Sequence, residues 1–102
     1  MHAIRLFCLV KGEGTMRAFA ITINKNETIS DLKKKIRLDQ PRAFAKTDSK
    51  DLKLWMVNVR DDGQDEIRYN VELMPTREIE EYWSQTPEKN RIHVVVERLT
   101  RR

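Results

Sequence analysis

Residues 52–59 read LKLWMVNV. Leu52, Leu54 and Met56 alternate with Lys53, Trp55 and Val57, the two-residue period of a β-strand. A strand with one buried face ordinarily gives its other face to polar groups. Here that second face carries a tryptophan and a valine. The parity of this strand decides which side chains the sheet hides and which it presents.

Working upstream, AIRLFCLV sets Ile4, Leu6, Cys8 and Val10 against Arg5, Phe7 and Leu9. KGEGT follows, with Gly12 and Gly14 as turn residues, and MRAFAITIN places Phe19, Ile21 and Ile23 on one face, so the two runs predict a hairpin. In ETISDLKKKI, Thr28 and Asp31 stand at capping-box spacing. Ile29, Leu32 and Ile36 then recur at helical spacing, with the lysines on the opposite face. Pro41 closes this helix. RAFAKTDSK is a loop that anchors Phe44 to something apolar. Downstream, RDDGQDEI is an acidic turn around Gly63 and YNVEL a short strand. TREIEEYWSQTP holds a short helix with Thr76 as its expected cap, Ile79 and Trp83 four apart, and Pro87 at its close. RIHVVVERL is the last strand, alternating Ile92, Val94 and Val96 against His93, Val95 and Glu97.

The chain has 102 residues, of which 35% are charged, with 20 basic and 16 acidic side chains and a formal charge of +4. These values predict one soluble domain spanning 1–102 with a well-solvated surface. No run of about 18 apolar residues is present to span a membrane. Lys33, Lys34, Lys35 and Arg37 form the densest basic cluster, and Arg98, Arg101 and Arg102 a second. No aromatic residues are interleaved with the lysines for base stacking, so nucleic acid is not the expected partner. Cys8 is the only cysteine, which leaves no internal disulfide and reads as a small buried residue. The opening MHAIRLFCLVKG makes a poor secretory signal, because it lacks a basic head and an uninterrupted apolar stretch.

Hairpin, helix, strand, short elements and strand pack most simply as an α+β fold. A four- or five-stranded mixed sheet carries the main helix across one face, and the last strand lies centrally, parallel to the first, because its VVV run needs cover on both sides. This is the β-grasp layout. The steps from Ile23 to Ile29, Leu32 and Ile36, and the stretch IHVVVERL, resemble the ubiquitin family. The ending TRR, without Gly-Gly, implies that the chain is not conjugated through its carboxyl terminus.

On this parity Ile4, Leu6, Cys8, Phe19, Ile21, Ile23, Leu54, Met56, Ile92, Val94 and Val96 face the helix. Phe7, Trp55, Val57, His93 and Val95 fall on the open face as an apolar, partner-binding strip. Two alternatives stand beside it. Segment 64–83 could fold over the strip with Tyr82 or Trp83 on Trp55, or a one-residue slip could exchange the faces.

Catalytic groupings are sparse. Cys8 and His93 could pair as nucleophile and base only from one side of the sheet, and alternation sends them to opposite sides. Asp61, Asp62, Asp65 and Glu66 lack the spacing of a calcium loop. KGEGT lacks a phosphate-loop lysine and precedes no helix. The expectation is therefore no enzyme, cofactor or metal.

A narrower likeness emerges from longer stretches. IRLFCLVKGEGTMRAFAITINKNETISDLKKKI resembles the opening of the ubiquitin-like N-terminal header of the Crinkler effector family. Leu54, Trp55, Met56, Val57 and Asn58 stand at the places of that family's LFLAK motif, and only the first residue is identical. REIEEYWSQTPEKNRIHVVVERL is similar to its acidic-aromatic helix and closing HVLV signature, on which His93, Val94, Val95 and Val96 fall. Leu99 stands where proline is usual. The resemblance implies an N-terminal module placed before a variable effector domain, secreted and delivered into host cells in virulence or symbiosis. It would engage trafficking machinery, a host protein or its own C-terminal domain. Rival readings are self-association of Phox/Bem type, pairing Lys33–Lys35 with Asp61–Glu66, and nucleic-acid binding through the basic helix.

Overall fold

The structure is a computed structural model that describes residues 2–99; the terminal TRR, with Arg101 and Arg102, lies outside the described residues. Strand β1 (Ala3–Val10) runs antiparallel to β2 (Phe19–Asn24), pairing Ile4 with Ile23 and Leu6 with Ile21. Strand β5 (Arg91–Arg98) lies parallel to β1 and antiparallel to β3 (Leu52–Arg60), and the two-residue β4 (Val71–Glu72) pairs with β3. The order β2-β1-β5-β3-β4 makes a five-stranded mixed sheet with the last strand at its centre. Val94, Val95 and Val96 are fully buried, as a strand covered on both faces requires.

Helix α1 (Ile29–Asp39) starts where its capping box dictates: the Asp31 amide donates to Thr28 Oγ1 at 3.3 Å, and the Thr28 amide to the Asp31 carboxylate at 3.0 Å. It ends before Pro41, at the C-cap Gln40. Ile29, Leu32 and Ile36 reach a core that also holds Leu6, Ile23, Phe44, Leu54, Leu73, Ile79, Val94 and Val96. Phe44 is fully buried, so the 42–50 loop is pinned as expected.

Three expectations need correction. The lysines do not all cover the outer face of α1, because Lys33 is buried on its flank. Helix α2 (Ile79–Tyr82) is capped by Glu78 rather than Thr76. Its first amides, on Ile79 and Glu80, donate to the carbonyls of Glu27 and Lys25, while those of Ile29 and Ser30 in α1 donate to Arg77 and Pro75. The two helix starts thus satisfy one another's free donors, and no threonine is required. Finally, Ile92 packs on the face away from α1. The β3/β5 register shifts between Met56 and Val59, so three steps along β3 match the two from Val94 to Ile92. Three steps reverse a strand's face, and Ile92 follows its partner Val59.

Candidate interaction face

The face of the sheet away from α1 was expected to be bare. It is a second, smaller core: Leu9, Val57, Val59, Ile92 and Val95 are buried there, with Phe7, Ala18, Trp55 and Ile67 packed around them. Of the five residues expected to form an open strip, Val57, His93 and Val95 are buried, while Phe7 and Trp55 are half-buried. The cover comes from within the chain, as one alternative held, but from different residues. Ile67 joins the second core and Tyr69 stacks edge-on against Trp55, ring centres 5.6 Å apart. Tyr82 and Trp83 instead belong to the helix-side core.

The five LFLAK-like positions divide between the layers. Leu54 is fully buried beside α1 and Met56 half-buried there, Trp55 and Val57 pack on the other face, and Asn58 is exposed at the register shift. The HVLV-like stretch divides likewise, with Val94 and Val96 toward α1 and Val95 away from it.

His93 has a distinct role. Its Nδ1 accepts the Phe7 amide at 3.0 Å, and its other ring nitrogen lies 2.7 Å from the Glu88 carbonyl. Because Nδ1 accepts, the proton sits on Nε2, which donates to Glu88. The paired register of β1 and β5 begins at Cys8, so the imidazole takes the Phe7 amide where the ladder ends. Burial pushes the His93 pKa below its ordinary value, partly opposed by the bond to Glu88 and by the Glu88 charge. The Cys8 thiol is wholly buried, and burial drives its pKa far up. With both His93 nitrogens committed to backbone groups, the Cys8–His93 pair does not assemble.

Above the second core lies a polar and aromatic frame spanning β1 to β4. The Trp55 indole N–H donates to Glu97 Oε1 at 3.0 Å, and Lys11 reaches Glu97 Oε2 at 3.4 Å. Lys11 also stands over the Tyr69 ring and Lys53 over Trp55, at 4.6 and 4.8 Å from the ring centres. Lys53 pairs with Glu72 at 3.8 Å. The indole donor, then Lys11 and Lys53, hold the Glu97 carboxyl below the usual range. Each ring–cation pair contributes about 0.5–1 kcal/mol when exposed, so the frame orients side chains more than it stabilises the fold. Lys53 and Glu97 were accessible to a cross-strand reading, since they face one another in register. Tyr69 was not, because the alternation of YNVEL marks a strand without saying which ring its first residue meets. Among the described residues no group of three or more His, Cys, Asp or Glu side chains is placed to hold a metal ion.

Residues 4–97 match the family model described as the Crinkler effector protein N-terminal domain. The chain belongs to that family. It is 41% identical over 100 residues to Crinkler effector protein 1 of Rhizophagus irregularis, an alignment covering 93% of this chain and 21% of that protein. The chain therefore spans about a fifth of the curated relative's length. In fold it is similar to the ubiquitin-like domain of an Arabidopsis thaliana protein solved by NMR, with a TM-score of 0.63 and 19% identity over 99% of this chain and 82% of that one. A second NMR structure of the same Arabidopsis protein gives a TM-score of 0.60 at 18% identity, over 100% of this chain and 93% of the other. The ubiquitin-like β-grasp expected from the sequence is thus the fold of this Crinkler domain.

Proposed function

We propose that this Crinkler domain is a non-catalytic recognition module at the head of an effector. Its task is to direct secretion and entry into a host cell through a protein partner, while a variable domain after it carries the effector activity. The observation that carries this reading is the family match over residues 4–97 combined with a relative of which the matched stretch is about a fifth. The recognition face is the frame of Trp55, Tyr69, Lys11, Lys53 and Glu97. Phe7 lies at its margin with His93 beside it, and Val57 and Val95 support it from below. The test attaches a reporter after the domain in an organism that delivers Crinkler effectors and follows it into host cells. Delivery with the domain and none without it is expected; equal delivery of the bare reporter would remove the proposal.

Charge-driven self-association has less to work with. Asp65 binds the Arg60 amide and guanidinium and lies 3.9 Å from Arg91, Glu66 lies 3.7 Å from Arg68, and Lys33 is buried. A monomer in sedimentation at low salt is the expected result.

A further inference from the structure

Lys33 has a largely buried stem, while its ammonium keeps contact with solvent and lacks a close counter-ion. The residue is only 7% exposed, yet it forms neither a hydrogen bond nor an ion pair with any described residue. It lines a cavity of about 170 Å3 together with Ser30, Lys34, Ser49, Lys50 and Pro75. Three lysines and two serines therefore line one small space, and no acidic residue lines it. The neighbouring acids are engaged elsewhere. Glu72 acts on Lys33 through space but pairs with Lys53, and Asp31, close to Lys34 and Lys35, caps Thr28. Asp51, next to Lys50 in the chain, lines a different cavity.

The first two amides of α1 are already accepted by the Arg77 and Pro75 carbonyls, so ammonium and hydroxyl donors, not the helix start, define what fits. We propose that this cavity binds a phosphate group. Its volume corresponds to about five or six waters at ~30 Å3 each, well below the ~300 Å3 at which pockets for larger ligands begin. That is room for a phosphoryl group and little else. A tetrahedral dianion offers enough acceptor oxygens to meet donors arriving from α1 and from the Ser49–Asp51 turn, and it supplies the charge that Lys33 lacks. Burial already depresses the Lys33 pKa, and a bound dianion reverses that direction. The phosphate arises either as the free ion or as a monoester on a peptide side chain, and the two present the same atoms to the cavity.

The experiment follows the amide resonances of Ser30, Ser49 and Lys50 while the full chain is titrated at constant ionic strength with inorganic phosphate, O-phosphoserine or chloride. Saturable shifts with a Kd on the order of 1 mM are expected for the phosphate compounds and none for chloride. Tighter binding of phosphoserine assigns a peptide-borne phosphate, and tighter binding of the inorganic ion assigns the free one. Lys33→Met keeps the apolar stem and should abolish saturation with other resonances unchanged. Lys50→Ala, on a separate element, should weaken binding severalfold. Equal responses to chloride, or undiminished saturation in Lys33→Met, overturn the site.

Discussion

His93 holds two backbone groups through a titratable ring, and this gives the domain a pH dependence of definite sign. The folded pKa lies below the ordinary 6.5. The unfolded chain thus binds more protons as pH falls past that value. Stability from His93 is complete above about pH 6.5 and is lost as pH falls through the folded value. A proton on Nδ1 would set two donors, the imidazolium and the Phe7 amide, against each other. The expected loss is about 1 kcal/mol, the net worth of one ordinary hydrogen bond. His93→Asn keeps an acceptor near Nδ1 but cannot titrate. Its melting temperature should be lower at pH 7 and nearly flat down to pH 5.5, where the parent declines. A parallel decline in both proteins would assign the titration elsewhere. Trp55 makes a second prediction. Since it stacks on Tyr69 and covers part of the second core, Trp55→Ala should cost about 2 kcal/mol, roughly 10 °C for a domain of this size. Trp55→Phe keeps a ring but removes the indole donor, so the Glu97 pKa should rise toward its ordinary value in a carboxyl-carbon titration. An unmoved Glu97 would mean that the indole bond has no electrostatic weight.

Among the elements, α1 was legible because its signals are local. Thr28, Asp31, Ile29, Leu32, Ile36 and Pro41 lie within 14 positions of one another, and the observed cap is the one they specify. The short α2 was legible in place but not in its start, because its first amides are satisfied by residues 25 and 27, which are distant in sequence. Two threonines separate these cases. Thr28→Ala should cost about 1 kcal/mol by removing the cap acceptor. It should also raise the Asp31 pKa, which the bonds to Thr28 hold down. Thr76→Ala, exposed and outside α2, should change stability by less than about 0.5 kcal/mol. Thermal denaturation of the two variants measures the contrast. Equal losses would show that α2 depends on Thr76 after all. Register escaped the sequence for a related reason. Alternation placed Trp55 and Val57 correctly on the face away from α1, but the shift between Met56 and Val59 is a property of two strands together and moved Ile92 across the sheet.

At the scale of the molecule, the sequence showed that both faces of the central strand are apolar but not what closes the second. Ile67 and Tyr69 alternate with Arg68 and Asn70 ahead of Val71 and Leu73, but that period does not say which neighbours they meet, and the position of the segment is fixed by tertiary ties. Asp65 holds it to Arg60 and Arg91, and Tyr69 meets Trp55 and Lys11. The segment thus converts a sheet with one covered face into one covered on both sides, leaving a polar rim around Trp55 where a bare strip was expected. If the cover acts in this way, removing it should create the patch that the parity implied. In Ile67→Ser combined with Tyr69→Ser, the sheet should persist because the helix-side core is untouched. Val57, Val59 and Val95 should become accessible, and a dye that binds apolar surface should fluoresce in the folded protein. The melting temperature should fall by about 5–10 °C, in line with a loss of 1–2 kcal/mol from two partly exposed side chains. No dye binding below the melting transition would mean that other residues, Ala18 and Phe7 foremost, are sufficient to close the face. Dye binding together with sedimentation as a dimer would show that the 61–70 segment also keeps two sheets from meeting.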